Sequence, residues 1–273
     1  CGIDGAEDLP LHLDWVAYKE YQIRWAVGRF AEMLRERGVA GVPIFHDIAY
    51  QRSTPLDVSR MEAHPDIDWV GMNIYCAKED YETVARRMRF LSGATKLPFV
   101  PEFGCGLWSH HRQTFEPQDH EFVTLSALMH GLKAINFYML VERERWQGSP
   151  ITRHGEFRPE YARFYDRLGT FLAQYPIWEF SRECETLLLF NYDLGRHAAA
   201  TTTLNLAHAD LLGLPPALFH LEVDLPIDSN PRAELDLSNT ASWMGELTRK
   251  LNGRNIDFDM ADTHISPESL LRY

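Results

Sequence analysis

The fold of this chain is decided by the stretch Lys96-Leu-Pro-Phe-Val-Pro-Glu-Phe-Gly-Cys-Gly-Leu-Trp108. The run from Leu97 to Val100 is mostly apolar and β-prone, which predicts a short buried strand with Glu102 at its far end. Two glycines after that carboxylate allow a sharp turn or a close approach to a ligand, and Trp108 offers a flat apolar face on which a sugar ring can stack. The stretch therefore predicts a strand that presents one acid to a cleft; an ordinary turn with a solvated Glu102 is the alternative.

Strand and helix patterns alternate on both sides of this stretch. Strands are predicted at 42–45, 67–75, 97–102 and 134–140, and helices at 15–37, 81–91, 120–132 and 159–175. Residues 1–14 are predicted to be a loop, because Gly2, Gly5 and Pro10 interrupt any periodicity. The alternation implies parallel strands joined by crossover helices, an α/β fold whose sites lie at the carboxyl ends of the strands.

A second domain is predicted after Pro176, with the boundary near Trp178. Residues 1–178 would form the first domain, and residues 179–273 part of another α/β domain. Its predicted elements are a strand at 186–192, a helix at 243–251 and a strand at 256–260.

Composition limits the classes of function. The formal charge of −12 argues against sequence-independent binding of nucleic acid or of an anionic membrane, which needs clustered Lys and Arg. No run of about 18 apolar residues predicts a membrane span. The four cysteines are far apart with no CxxC pair, which argues against a structural zinc site and favours a reducing compartment such as the cytoplasm. A homo-oligomer and an extracellular location both stay open.

Glu102 is the candidate for a nucleophile or a general base, because a carboxylate at a strand end is fixed in direction. Tyr75 on the adjacent predicted strand is expected to donate a hydrogen bond to it, and Asn73 to bind a substrate hydroxyl. Displacement at a sugar carbon needs a second carboxyl group that protonates the leaving oxygen. The sequence does not single this group out, and the candidates are Glu7, Asp47, Glu142 and Glu144.

The sequence bears on other chemistries as well. A catalytic metal is not expected, because the HExxH spacing of zinc hydrolases is absent although the chain contains His46, His110, His111, His120, His130 and His154. Cys105 stays open as a nucleophile, with no particular histidine indicated as its partner. No GxSxG motif of a serine hydrolase is present. No glycine-rich motif for binding nucleotide phosphates is present either, and no cofactor is expected.

Residues 100–106, Val-Pro-Glu-Phe-Gly-Cys-Gly, resemble the nucleophile strand of β-galactosidases of glycoside hydrolase family 35. Residues 131–140 are similar to the next barrel strand in families 35 and 42, whereas residues 142–151 depart from the Gly-Gly-Thr-Asn pattern of family 35. The resemblance implies the C-terminal half of a (β/α)8 TIM barrel of clan A, with strands 5 to 8 present. Past Trp178, residues 254–259 look like the start of the amidotransferase-like domain of family 42.

By this resemblance, Glu102 is the nucleophile of a retaining β-galactosidase and Tyr75 orients it. The acid/base in these families is the Glu of an Asn-Glu pair, which this sequence lacks, so the proton donor is expected upstream of Cys1. The expected partner is an oligosaccharide or β-galactoside substrate, and its contacts are assigned to His46, Asn73, Trp108, Tyr138, Glu142 and Trp146. The alternatives are a β-mannanase-like or β-glucosidase-like hydrolase, or an inactive carbohydrate-binding protein on the same scaffold.

Overall fold

The computed structural model describes residues 9–48, 57–108, 115–144, 146–190 and 246–273 of a mixed α/β chain. The helices are α1 (Leu9–Glu36), α2 (Val58–Glu62), α3 (Tyr81–Ala94), α4 (Pro117–Met129) and α5 (Pro159–Gln174), with helical residues also at 246–253 and at Pro267–Leu270. The strands are β1 (Phe45–Ile48), β2 (Trp69–Met72), β3 (Phe99–Gly104), β4 (Leu107–Trp108), β5 (Ala134–Tyr138), β6 (Trp146–Gln147), β7 (Leu187–Phe190) and β8 (Asp259–Asp262).

Two compact units divide these elements. The first, called here the site unit, contains β1 to β6 and α3 to α5. The other contains α1, α2, β7 and β8. Within it, β7 and β8 form a parallel pair, and His264 Nδ1 lies 2.8 Å from Asp57 Oδ2, which links the end of β8 to the start of α2. The domain boundary near Trp178 stays a prediction.

The four long strands of the site unit are parallel and lie side by side in chain order. β1 pairs with β2, and β3 pairs with β5. Ile74, just past β2, bridges to β3, where its N–H donates to the Glu102 carbonyl at 2.9 Å and its carbonyl accepts from Gly104 N–H at 2.8 Å. As predicted, α3 connects β2 to β3 and α4 lies between β3 and β5, whereas the short α2 between β1 and β2 was not predicted. The described strands close no barrel, and the eight-stranded barrel stays a prediction.

Strand β3 contains a bulge at Pro101 and Glu102. Val100 pairs with Ile135 and Phe103 with Phe137, so two residues of β3 oppose the single residue Asn136 of β5. Asn136 Nδ2 donates to the Pro101 carbonyl at 2.9 Å, which gives that acceptor a partner where the ladder is interrupted. A proline is tolerated at such a position because it has no N–H to contribute.

Alternation along the strands separates two faces of the site unit. One face begins with Phe45, Trp69 and Phe99, whose rings are in edge contact at centroid distances of 5.0 Å and 6.4 Å. Since side chains repeat every second residue, Asp47 follows Phe45 on this face, and Gly71 and Asn73 follow Trp69. Val100 and Phe103 belong to the opposite face and are buried. Helices α3, α4 and α5 follow one another in contact, with buried apolar side chains such as Met88, Val123 and Phe164.

Two predicted segments are corrected. Residues 9–14 are helical rather than a loop, because Pro10 lies in the first turn of α1, where a missing N–H costs no hydrogen bond. The first strand is β1 at Phe45–Ile48 rather than 42–45, so His46 and Asp47 lie within it. Residues 191–192 and 243–245 of the predicted C-terminal elements lie outside the described residues. Within the described chain, no helix is long and apolar enough to cross a membrane.

Candidate active site

The Glu102 carboxylate lies on the bulge of β3, partly buried, and accepts two hydrogen bonds at a single oxygen. Tyr75 Oη donates to Oε2 at 2.8 Å, and Asn73 Nδ2 donates to the same Oε2 at 3.0 Å. Among the described residues, no donor binds Oε1. Two hydrogen bonds at one oxygen fix the orientation of the carboxylate, so Oε2 is held while Oε1 has no donor from the described residues.

The local sequence explains why both donors face Glu102. Asn73 and Tyr75 are two residues apart, so they point to the same face, while Ile74 between them is almost fully buried on the other. The Tyr75 ring packs directly on the backbone of Gly104, where a Cβ would lie 2.5 Å from Tyr75 Cδ1. On β2, a Cβ at Gly71 would lie 2.5 Å from Pro101 Cδ, so the bulge also needs a glycine beside it.

Asp47 of β1 completes what we call the Glu102 cluster: Asp47, Asn73, Tyr75 and Glu102. Asn73 Nδ2 donates to Asp47 Oδ2 at 3.2 Å as well as to Glu102. Burial raises the pKa of Asp47 to about 6; the Asn73 hydrogen bond opposes this rise and the negative charge of Glu102 adds to it. Asp47 Oδ1 and Asn73 Oδ1 are buried with no hydrogen-bond partner among the described residues.

Tyr75 keeps its proton in this cluster. Burial raises the pKa of its hydroxyl far above the ordinary value, and the hydrogen bond to Glu102 raises it further. The hydroxyl is therefore a permanent donor to the carboxylate at any physiological pH.

Three aromatic rings run from Glu102 toward the loop after β5. Tyr75 and Tyr138 meet edge to face with centroids 6.3 Å apart, and Tyr138 meets Trp146 in the same way at 5.5 Å. The Arg143 guanidinium carbon lies 5.9 Å from the Trp146 ring centroid. The structure thus brings the predicted substrate contacts Tyr138 and Trp146 together with the Glu102 cluster. Trp108 lies in β4, opposite Trp146 in the β4–β6 pair, and its side chain is outside the described part of the structure.

The remaining predicted residues are placed differently. Glu142 is paired with Arg158, its Oε2 2.8 Å from Arg158 Nη2, and Arg158 also donates to the Ser149 carbonyl. Glu144 is exposed, and Glu7 lies outside the described residues. Alternation along β1 puts His46 on the face opposite to Asp47, and burial lowers the pKa of the His46 imidazole.

A second polar group, the Cys105 cluster, consists of Cys105, His120 and Tyr165. Tyr165 Oη lies 3.1 Å from Cys105 Sγ and 2.7 Å from His120 Nδ1. Burial raises the pKa of the fully buried Cys105 thiol to about 12, although the Tyr165 hydrogen bond acts in the opposite direction, and burial lowers the pKa of His120 to about 4. A neutral, inaccessible thiol is a poor nucleophile, so the geometry disfavours the Cys105 alternative.

The described histidines do not form a metal centre. His130 contacts Tyr81 Oη at 3.1 Å, and His120 belongs to the Cys105 cluster. No group of three or more His, Cys, Asp or Glu with metal-binding geometry occurs in the described ranges. His110 and His111 lie outside those ranges.

No protein-family model matches this chain, and no curated protein matches it. The geometry of the Glu102 cluster and the resemblance of residues 100–106 are therefore the observations that support a functional assignment.

Proposed function

We propose that this protein is a retaining glycoside hydrolase that cleaves β-galactosides or related β-glycosides, with Glu102 as its nucleophile. The observation that carries the proposal is the pair of donors, Tyr75 Oη and Asn73 Nδ2, on one oxygen of the Glu102 carboxylate. This arrangement suits an attacking carboxylate, because it fixes the direction of the group and leaves its second oxygen without a donor from the described residues.

In the first step, Glu102 Oε1 attacks the anomeric carbon of the sugar. The bond from that carbon to the glycosidic oxygen breaks, and the departing oxygen takes a proton from the acid/base group. Water then attacks the same carbon, releases the Glu102 carboxylate and gives its proton to the acid/base. Tyr75 stabilises the carboxylate when it carries full charge, before attack and after release.

The second carboxyl group is not assigned to any described residue. Asp47 shares Asn73 with Glu102, so its nearer oxygen is already committed within the cluster. Glu142 Oε2 is engaged in an ion pair with Arg158 Nη2 at 2.8 Å, so that oxygen does not face a leaving group. The proposed acid/base is therefore the Glu of an Asn-Glu pair, as the resemblance implies.

The three contacting rings of Tyr75, Tyr138 and Trp146 support a carbohydrate substrate. Tyr138 and Trp146 extend the ring contacts of Tyr75 away from the carboxylate, and flat rings of this kind bind the apolar faces of pyranosides. The segment after β5 contains both Glu142 and Trp146. The ion pair between Glu142 and Arg158 joins this segment to the start of α5.

The test is covalent labelling of the complete protein with a 2-deoxy-2-fluoro galactoside that has a dinitrophenyl leaving group. Such a leaving group needs little protonation, so the reaction depends on the nucleophile and not on the acid/base. Mass spectrometry should find one adduct on the peptide that contains Glu102. The Glu102→Gln variant should lose labelling and turnover by about 10⁴-fold or more.

The matched control is Glu144→Gln, which removes an exposed carboxylate two residues beyond Glu142 and should label at the normal rate. An adduct on a different residue would contradict the assignment of Glu102. No adduct from folded protein, with galacto, gluco and manno reagents all tried, would contradict hydrolysis and favour the carbohydrate-binding alternative.

A further inference from the structure

A single buried amide connects the two carboxylates of the Glu102 cluster. Asn73 is 3% exposed, and its Nδ2 donates both to Glu102 Oε2 at 3.0 Å and to Asp47 Oδ2 at 3.2 Å. An amide nitrogen has two hydrogens, so this one nitrogen can serve both acceptors at once. The three side chains come from three adjacent strands, β1, the end of β2 and β3, which fixes their spacing through the backbone.

The orientation of the Asn73 amide depends on these two acceptors. An ionised carboxylate only accepts hydrogen bonds, so both carboxylates favour Nδ2 and disfavour Oδ1 in the same position. Asn73 Oδ1 has no partner among the described residues, so no donor there helps to select the orientation. If Glu102 were the only acceptor, one of the two interactions that favour this orientation of the Asn73 amide would be lost.

We propose that Asp47 is a positioning residue for Glu102: its carboxylate fixes the Asn73 amide so that Nδ2 is presented to Glu102 Oε2. This inference rests on the proposed function, in which Glu102 is the nucleophile. It adds to that function a residue that neither touches the reacting atoms nor belongs to the predicted substrate contacts.

The arrangement destabilises the folded protein, which is typical of a site and not of packing. Two carboxylates on one amide repel each other, and Asp47 Oδ1 is buried without a partner among the described residues. The titratable groups that interact with Asp47 are Glu102 and Tyr75, while His46 lies on the other face of β1. Glu102 is therefore the charge that Asp47 responds to most directly.

Asp47 also gives the cluster a defined pH dependence. Burial raises the pKa of its carboxyl to about 6, so it is ionised and acts only as an acceptor above that pH. Below that pH its protonated oxygen can donate, and the preference for Asn73 Nδ2 is weakened. The rate of attack by Glu102 should therefore fall as the pH falls through about 6.

The test compares the complete wild-type protein with Asp47→Asn, Asn73→Ala and the double variant. The measured quantity is the rate constant for labelling by the fluoro galactoside, from about pH 4 to pH 8. Asp47→Asn should slow labelling on the order of 10-fold to 100-fold, the range for a misplaced reacting group. In the Asn73→Ala background the same substitution should change the rate by less than about 2-fold, because the amide through which Asp47 acts is gone.

The acid limb of the labelling profile gives a readout that a purely structural role would not move. In wild type it should contain an inflection near pH 6, and in Asp47→Asn that inflection should be absent. Equal losses in both backgrounds, or an inflection near pH 6 that persists in Asp47→Asn, would overturn the proposal.

A second measurement separates this inference from the proposed function. In protein with ¹³C-labelled carboxyl groups, NMR titration should show Asp47 with an apparent pKa near 6, and a lower one in Glu102→Gln, since the neighbouring charge is removed. This experiment needs neither turnover nor a substitution at position 47. An Asp47 titration that is unchanged in Glu102→Gln would overturn the coupling even in a protein that no fluoro sugar labels.

Discussion

Glu102 and Cys105 are three residues apart on the chain, but the clusters that contain them differ in burial and in hydrogen bonding. Each contains a tyrosine hydroxyl: Tyr75 donates to Glu102 in one, and Tyr165 contacts both Cys105 and His120 in the other. Glu102 is partly exposed and receives two donors, whereas Cys105 is fully buried beside His120. Two donors hold the Glu102 carboxylate in place, whereas burial keeps the Cys105 thiol and the His120 imidazole neutral and outweighs the nearby Asp119 charge.

The largest effect expected from this contrast is the acid sensitivity that His120 confers. Burial lowers the pKa of His120 from 6.5 to about 4, so between these values the unfolded chain binds a proton that the folded chain does not. The stabilising contribution is complete above pH 6.5 and is lost as the pH falls toward 4, by about 3 kcal/mol in all. His120→Gln should remove that part of the pH dependence.

Urea unfolding at a series of pH values measures this contribution as the difference between wild type and His120→Gln. Asp47 and Asp262, whose pKa values burial raises to about 6, titrate in both proteins and cancel in the difference. The exposed His154→Gln is the matched control. A difference that is constant from pH 4 to pH 6.5 would contradict the assignment of a neutral, buried His120.

Removing the hydroxyl of Tyr75 should lower activity, whereas removing that of Tyr165 should lower stability. Tyr75→Phe deletes a hydrogen bond to a charged acceptor and should lower kcat/KM by about 10-fold to 100-fold with little loss of stability. Tyr165→Phe leaves Cys105 and His120 without their shared partner and should lower the free energy of unfolding by about 1 to 3 kcal/mol.

Kinetics with an aryl β-galactoside and urea unfolding, applied to both variants, measure the two effects together. Per folded molecule, Tyr165→Phe should retain most of its activity. If both variants lose activity equally, or if Tyr75→Phe loses only stability, the division between a reacting cluster and a packing cluster is wrong.

The last comparison uses two glycines whose substitutions should have effects of opposite sign. Gly104→Ala would place a Cβ 2.5 Å from the Tyr75 ring, and the displacement should cost about 1 to 3 kcal/mol of unfolding free energy as well as activity. Gly169→Ala, in the middle of α5 with no atom within 4 Å of the new Cβ, should stabilise by about 0.5 to 1 kcal/mol. Thermal unfolding of the pair checks both signs, and a Gly104→Ala protein with normal stability would show that Tyr75 has room to move.

Much of the site was predictable from strand patterns. Glu102 follows an apolar run, and the spacing of Asn73 and Tyr75 places both on one face of their strand. The bulge was not predictable, because the register between β3 and β5 depends on two strands that are distant in sequence. β1 was misplaced because the apolar run before Phe45 resembles a strand, and this hid that Phe45 and Asp47 share a face.

The Cys105 cluster could not be predicted for a different reason. Tyr165 is 60 positions along the chain from Cys105, on α5, and His120 lies on α4. Local sequence patterns do not indicate which faces of two helices pack against each other and against a strand. A buried histidine and a buried tyrosine have the same sequence signature as ordinary amphipathic helix residues, so this cluster emerges only from tertiary packing.

The bulge at Pro101 and Glu102 has a consequence for comparing this strand with others. A regular strand has one residue between the positions of Val100 and Phe103, whereas this strand has two. In an alignment without a gap, Glu102 would therefore fall opposite an apolar residue of the helix-covered face. A one-residue gap before the carboxylate restores the correspondence, so a relative with an unbulged strand shows its acid only when the aligned position is shifted by one.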